Sequence, residues 1–503
     1  MSGRFSFKDA NQKVVFENVV SLAILQVVIY LLPAVMLYYL TEVVGMVLLS
    51  RIAFVNAVAQ VGVAFVDFGY KLTGTREVAA VRDDPERLSR VFSTILAVKV
   101  VLAVAVMAVA LLLVAVVPTF RENALLVVFS FGAIIGDVLI PVWFFQGMEK
   151  MKFMTVLNSL THVVFFGLVL LLIKEESQYI YVPLLGSAGY VVSGIVCMGL
   201  VMRRFDVRLQ TVSLGEMWAS VRDGWRVFVT GFLPNLYNDG TEIILQLITG
   251  NQSPVLGYYA LAKKVIDVFN SVMYVIARAY FPLLTRATSY FNSFRNIILS
   301  WGLGLSALAF LAAPLVAGIA SEDQWAGALP LIRILGISPF CIAVVLCYGR
   351  NFLLMHRLDH LYLWIVLIVS GIGLVLGVVL VPLFEQYGAA STLTVSRVIY
   401  AAMCFGLEMR MMRQGRFRRD GTALGADSPA VGGTTPWLQG VAARHGRGGR
   451  RIVVAGRGRE GGFRTMDIKL GILTSTNDSY LKYVTAGEEA GIPYEIVDLL
   501  ASD

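Results

Sequence analysis

A chain of 503 residues with 57% hydrophobic and only 15% charged side chains is not a soluble globular protein, whose charged share is usually about 25%. The mean hydropathy of +0.72 marks a protein that crosses a membrane many times. Its net charge of +8 does not indicate a nucleic-acid partner, because the basic residues gather in alternate loops and no base-reading motif accompanies them.

The chain opens with a polar arm, residues 1–18, that lacks the short apolar core of a cleavable signal. Residues 5–17 (FSFKDANQKVVFE) read either as a short helix on the inner leaflet or as an irregular arm. Twelve apolar stretches follow, near 19–40, 45–69, 92–117, 124–147, 153–173, 180–202, 227–250, 255–285, 296–319, 327–349, 361–383 and 387–409. Each has about 20 residues or more, enough to cross a hydrocarbon core of about 30 Å as a helix. In lipid a spanning segment must satisfy its own backbone amides, so the expected fold class is all-α integral membrane. The stretches divide into a first six-helix lobe (19–202), a linker (203–226) and a second lobe (227–412).

Loop charge sets the orientation. Arg4, Lys8 and Lys13 precede the first stretch, and Lys71, Arg76, Arg82, Arg87 and Arg90 follow the second. Lys150 and Lys152, then Arg203, Arg204, Arg208, Arg222 and Arg226, continue the alternation, which ends on Arg410, Arg413, Arg416, Arg418 and Arg419. The opposite loops hold Glu42, Glu122, Glu175, Glu176, Glu322, Asp323 and Glu385, with little basic besides Arg121 and Lys174. By the positive-inside rule both termini are expected in the cytoplasm. Asp84-Pro85-Glu86 reads as an N-cap with proline at the first helical position, which starts the third helix before it enters the membrane. Cys197, Cys341, Cys347 and Cys404 lie in apolar segments without ligand spacing, which favours buried thiols over disulfides or metal ligands.

Beyond the last stretch, residues 413–465 are basic, rich in Gly and Ala, and aperiodic, and are expected to be irregular. Gly456, Gly458 and Gly461 spell G-x-G-x-x-G, but the helix that should follow is missing and no nucleotide site is assigned. From Met466 the texture is that of a truncated βαβ unit: a strand through MDIKLGIL, a helix near 478–491 and a strand near 494–500. Residues 466–503 therefore read as the start of a neighbouring soluble protein joined through out-of-frame sequence, with a genuine appendage as the alternative.

The two halves repeat. The second stretch opens Val44-Gly45 with Arg51 six residues after the glycine; the eighth opens Leu256-Gly257 with Lys263 six after. With the six-plus-six division this spacing predicts two parallel repeats, an arrangement found among transporters.

Several motifs narrow the class further. Val66-Asp67-Phe68-Gly69-Tyr70 with Thr75-Arg76-Glu77, then Pro141-Val142-Trp143-Phe144-Phe145-Gln146-Gly147-Met148-Glu149, Gly257-Tyr258-Tyr259-Ala260-Leu261-Ala262-Lys263 and Tyr280-Phe281-Pro282 occur in this order. Together they resemble the motifs of the O-antigen and exopolysaccharide flippases, over roughly residues 10–415. That family lies in the superfamily of multidrug-and-toxin exporters and lipid II flippases. The resemblance implies two six-helix lobes in a V around a central cavity, alternating access, and a prokaryotic cytoplasmic membrane. It implies a polyprenyl-diphosphate-linked oligosaccharide as substrate, carried to the outer leaflet for cell-surface polysaccharide. Neighbouring polysaccharide polymerases and glycosyltransferases are implied as partners. No catalytic residue, metal or organic cofactor is expected, and proton or sodium coupling is the open question.

Charges inside spans are costly and usually face a cavity. Arg51, Lys263 and Lys264 are the expected diphosphate or sugar-acid partners, with Arg333 and Arg397 secondary. Asp267 stands where it can pair with Lys263 or Lys264. Asn235, Asn238, Asp239 and Glu242 make the seventh stretch the most polar, either as coupling groups, as a sugar-binding wall or as partners of Lys263. Lys99, Asp137 and His162 are weaker candidates. Asp67, Arg76, Glu77, Trp143, Gln146 and Glu149 fall at the cytoplasmic face, as an ion-pair lock on a gate or as plain loop structure. A multidrug exporter of the same fold is the first rival; cations in the cavity favour anions instead. A membrane polymerase, a sugar transferase or an assembly scaffold is the rival of another class. The short outer loops and the missing acidic metal cluster argue against the two enzymes.

Overall fold

The computed structural model describes residues 32–286, 290–319, 327–356 and 358–414, with strands inside 442–469. The chain divides into two compact units, Met1–Ala423 and Leu424–Asp503. The arm 1–18 and the segments near 478–491 and 494–500 lie outside the described residues.

Among the described residues, the regular elements of the first unit are all helices. Its longer elements are α1 (Leu32–Asp67), α2 (Thr73–Val81), α3 (Pro85–Val116), α4 (Ala124–Leu139), α5 (Val142–Gly147), α6 (Met151–Leu172), α7 (Tyr181–Arg204), α8 (Leu214–Thr249), α9 (Val255–Arg286), α10 (Phe291–Ile319), α11 (Leu329–Leu335), α12 (Ser338–Val344), which runs into a π-helical stretch Val345–Asn351, and α13 (Asp359–Arg413), with short helical turns at Pro118–Glu122, Glu176–Ile180 and Phe352–Met355. Among the described residues, seven helical stretches are long and apolar enough to cross a membrane. Two of these are continuous only in hydrogen bonding. α1 breaks direction at Gly45, whose φ of 77° suits glycine, and α13 breaks at Glu385 with φ 49°. Both breaks fall where two successive apolar stretches were expected to meet. α8 and α9 are also long enough to span, at 36 and 32 residues, but carry charges that dilute their apolar character.

Local chemistry explains the ends. Asp84 Oδ1 accepts the N–H of Glu86 and of Arg87 at 3.1 Å, and Pro85 occupies the first turn, so α3 starts where the sequence predicts. α8 starts in a reciprocal Ser213–Glu216 capping box. Packing between α4 and α7 is close: a Cβ on Gly136 would stand 2.5 Å from Tyr190 Cβ. One apolar core joins Phe54, Phe120, Leu245, Leu256, Tyr259 and Leu393; a second joins Tyr70, Phe92, Trp143 and Phe144. All four cysteines are buried and free.

In the second unit the described strands β1 (Ala442–Gly446), β2 (Gly449–Arg457) and β3 (Phe463–Lys469) form an antiparallel sheet in the order β1-β2-β3. This differs from the irregular tail expected over 413–465. The β-branched run Ile452-Val453-Val454 outweighs the surrounding Gly and Arg. Met466 pairs with Val454 inside the antiparallel ladder, so the strand expected from Met466 belongs to this sheet; the helix and second strand expected after it lie outside the described residues.

Candidate functional site

Asp239 and Glu242, three residues apart, share one face of α8, and Lys263 of α9 reaches both. Its Nζ lies 2.5 Å from Glu242 Oε1, 3.2 Å from Asp239 Oδ1 and 3.3 Å from the carbonyl of Asn238. Asp267, one turn further along α9, pairs with Arg397 of α13 at 3.8 Å, and Arg397 also donates to the hydroxyl of Ser338. The expected pairing of Asp267 with Lys263 or Lys264 is therefore replaced. Two carboxylates of α8 already hold Lys263, and Arg397 takes the third acid. With Lys264 beside Lys263 on α9, three acids and three bases from three helices thus lie in one region.

Lys264 is the exception in that balance. It points about 100° away from Lys263 and is largely shielded from solvent. Among the described residues it makes no hydrogen bond or ion pair. Its charge is felt by Asp267 on its own helix and by His162 of α6. The side-chain amide N–H groups of Asn235 and Asn238 bond back to the carbonyls of Gly231 and Pro234, so those donors serve their own helix. Arg333 is exposed on α11, outside this network.

Arg51 sits elsewhere, at the end of the bundle where α8 turns into α9. Its Nε donates to the carbonyl of Asn251 at 3.0 Å. Asn251 is a hub. Its Oδ1 accepts from Asn123 at 2.8 Å and Gln246 at 3.1 Å, and its Nδ2 donates to Glu122 at 2.8 Å and to the carbonyl of Thr119 at 3.2 Å. Beside the hub, Gly257 N–H donates to Ser50 Oγ. The turn after α8 is thereby tied to α1 and to the loop before α4. Arg51, expected as a free cavity cation, spends one donor on this tie. A buried pair in the first half, Lys99 Nζ to Asp137 Oδ2 at 2.9 Å, is likewise closed on itself.

At the opposite end, the six candidate gate residues do not form one ion-pair lock. Asp67 pairs with Lys71 at 3.6 Å, and Glu149 with Arg82 at 3.0 Å. Arg76 and Glu77 are exposed and make no ion pair among the described residues. Although Glu77 reaches solvent, partial desolvation of its carboxyl, with Asp223 nearby, pushes its pKa above the usual carboxylate range. Thr75 Oγ1 has the Lys71 carbonyl at 2.8 Å, Gln146 Oε1 at 3.1 Å and the Trp143 carbonyl at 3.3 Å as alternative acceptors for its single proton. Trp143 is buried, and a Cβ on Gly147 would stand 2.6 Å from Val78. These contacts bind α2 to α5 within the first half, which is loop structure. Contacts from this end to α8 use other residues: Tyr70 OH with Ser220 Oγ at 3.0 Å, Phe68 stacked on Phe228 at 4.4 Å, and Arg90 with Glu216 at 2.5 Å.

Ser50, Thr75, Asn123 and Asn251 are the neutral residues that sequence reasoning missed, whereas Gln246 was legible as part of the polar seventh stretch. Neutral polar groups at helix ends carry no periodic or charge signal, and their partners lie far away in sequence. The one available hint is the run Gly250-Asn251-Gln252 between two long helices.

Comparison with known proteins adds independent findings. Residues 15–288 match the family model described as polysaccharide biosynthesis protein. A protein of Escherichia coli (strain K12) described as "Putative O-antigen transporter" is 26% identical over 395 residues, which is 77% of this chain and 94% of that protein. A Shigella dysenteriae protein of the same description is 24% identical over 276 residues, covering 54% of this chain and 68% of the relative. Among solved structures, the MATE multidrug transporter DinF-BH superposes with a TM-score of 0.55 at 16% identity, covering 82% of this chain and 98% of its own. An inward-facing MATE family transporter of the MOP superfamily gives 0.52 at 15% identity, over 77% of this chain and 95% of its own. At such identities the likeness is one of fold.

Proposed function

This chain belongs to the polysaccharide biosynthesis protein family, and we propose that it is a flippase for polyprenyl-diphosphate-linked oligosaccharides in a prokaryotic cytoplasmic membrane. It is a transport protein of many membrane helices, not an enzyme. The helices, divided at Gly45 and Glu385, make twelve spans in two six-helix lobes with both termini in the cytoplasm. On that orientation the Asn251 hub lies outside and the Arg90–Glu216 contact inside. Sugar transferases supply the lipid-linked unit on the inner face and a polymerase consumes it outside.

The observation that carries the reading is Lys264, a shielded cation that makes no ion pair among the described residues, beside a network in which the other charges are paired. A buried unpaired ammonium is costly, and an anionic ligand removes that cost. A diphosphate supplies the charge, the polar flank of α8 suits sugar hydroxyls, and the lipid tail stays in the bilayer. Alternating access then requires the Asn251 hub to open while the opposite end closes. A proton or sodium ion that couples transport has to compete with Lys263 for Asp239 and Glu242.

The test is deletion and complementation, with mass spectrometry of lipid-linked oligosaccharides and leaflet-resolved probing. The expected result is accumulation on the cytoplasmic side, rescued by the wild-type chain and not by Lys264→Ala. Unchanged lipid-linked sugars with altered drug sensitivity would assign the chain to multidrug export instead.

A further inference from the structure

The connection into α8 presents a surface that the transport reading leaves unused. Ser220, Gly224 and Val227 face the first half, against Tyr70, Phe68 and Gly69. On the other side Leu214, Trp218 and Trp225 fall within about 40° of one another at 100° per residue. They are 83%, 67% and 50% exposed. Arg222 and Arg226 flank this stripe, and Arg203, Arg204 and Arg208 stand exposed on the chain leading into it. Of the nearby acids, Glu216 is held by Arg90, while Asp206 and Asp223 each sit beside an arginine, at 3.7 and 3.5 Å. The basic charge remains in excess.

The surface is held in place. The N–H groups of Arg208 and Gln210 donate to Ser89 Oγ and Ser93 Oγ at 3.1 and 2.9 Å, and the capping box fixes the start of α8. Its depth follows from Arg90, the partner of Glu216. Arg90 lies two residues before the position at which the third apolar stretch is expected to enter hydrocarbon. Trp218, half a turn beyond Glu216, therefore stands near the level of the lipid headgroups.

We propose that the Leu214–Trp218–Trp225 stripe and its flanking arginines form a docking surface for anionic phospholipid headgroups of the cytoplasmic leaflet. Indole rings favour the headgroup layer, and guanidinium groups bind phosphate with paired donors. An apolar stripe bordered by arginine is the pattern of a helix seated at that boundary. The leaflet assignment rests on the orientation proposed above; the lipid chemistry does not.

The full chain is reconstituted in phosphatidylcholine vesicles carrying either brominated phosphatidylglycerol or brominated phosphatidylcholine. Emission from Trp218 and Trp225 is isolated by difference against the Trp218→Phe/Trp225→Phe variant. The expected result is stronger quenching by the brominated phosphatidylglycerol. That preference should fall about fivefold for each of Arg222→Gln and Arg226→Gln, the worth of one basic residue near an anionic surface. Equal quenching by the two lipids overturns the proposal. Absence of quenching also overturns it, and a photo-crosslinker at position 218 that then captures a protein assigns the surface to a protein partner. Both leaflets of these vesicles carry the same lipids, so the result does not depend on insertion direction. Impermeant labelling of Leu214→Cys in intact cells tests the orientation separately.

Discussion

Gly257 gives its backbone N–H to Ser50 Oγ at 2.8 Å, and the same hydroxyl donates to the carbonyl of Met46 at 3.0 Å. Helices from the two halves of the chain thus meet with only a serine hydroxyl between them. A Cβ on Gly257 would stand 2.6 Å from Met46 O. Gly257→Ala is expected to force the helices apart, at a cost of about 1–3 kcal/mol typical of overpacking. Ser50→Ala leaves a buried N–H unmatched, for a similar cost of about 1–3 kcal/mol. Thermal unfolding of the purified protein checks both, and an unchanged midpoint for Gly257→Ala would refute the close contact.

The two adjacent lysines should behave oppositely. Lys263→Ala strands Asp239 and Glu242 without their cation, and breaking such a buried pair costs about 3–5 kcal/mol. Its folded yield in membranes should collapse. Lys264→Ala breaks no ion pair and should accumulate normally while failing to move lipid-linked sugar. Equal yields for the two variants would contradict this division of roles.

Asn251→Ala leaves Asn123, Gln246 and Glu122 without their shared side-chain partner, while Arg51 keeps the backbone carbonyl. Each orphaned polar group costs about 1–3 kcal/mol, so the end of the bundle they close should open. An impermeant maleimide on Leu256→Cys, a fully buried position, reports that opening as faster labelling in the Asn251→Ala background. The four native cysteines are buried and should contribute little. Asn251→Asp should open it too, since a second carboxylate then faces Glu122.

Glu216 links pH to the seating of the connection before α8. Backbone and hydroxyl donation from Ser213, with Arg90, lowers its pKa to about 2. A depressed folded pKa stabilises above the unfolded value, and that contribution disappears as pH falls through the folded one. The seating should therefore persist through pH 4 and fail toward pH 2. Pepsin, which acts in this range, should spare residues 205–214 of the wild type at pH 4 and cut them in Glu216→Gln.

The sequence carried the class and much of the plan. Continuous apolar runs imply helices because lipid offers the backbone no partner, and Gly45 and Asp84-Pro85 mark turns and starts through their own conformational limits. The charged members of the α8–α9 cluster were also legible, because charge in an apolar stretch is conspicuous. Their pairing was not. Whether Asp267 meets Lys264 or Arg397 depends on how α13 is placed, a separation of 130 residues from Asp267. Arg82 was passed over for Arg76 because both are loop arginines, and only the fold brings one of them to Glu149. Asn251 was invisible because a neutral amide leaves no trace in charge or hydropathy.

α8 has a last consequence. Its first turns are clamped to the first half through Ser220 and Phe228, and its last turns to the second half through Asp239 and Glu242. Between the clamps stands Pro234, which has no N–H to offer the carbonyl of Thr230. The helix is a shaft gripped at both ends with one compliant joint. Strain applied at either grip therefore concentrates at that joint.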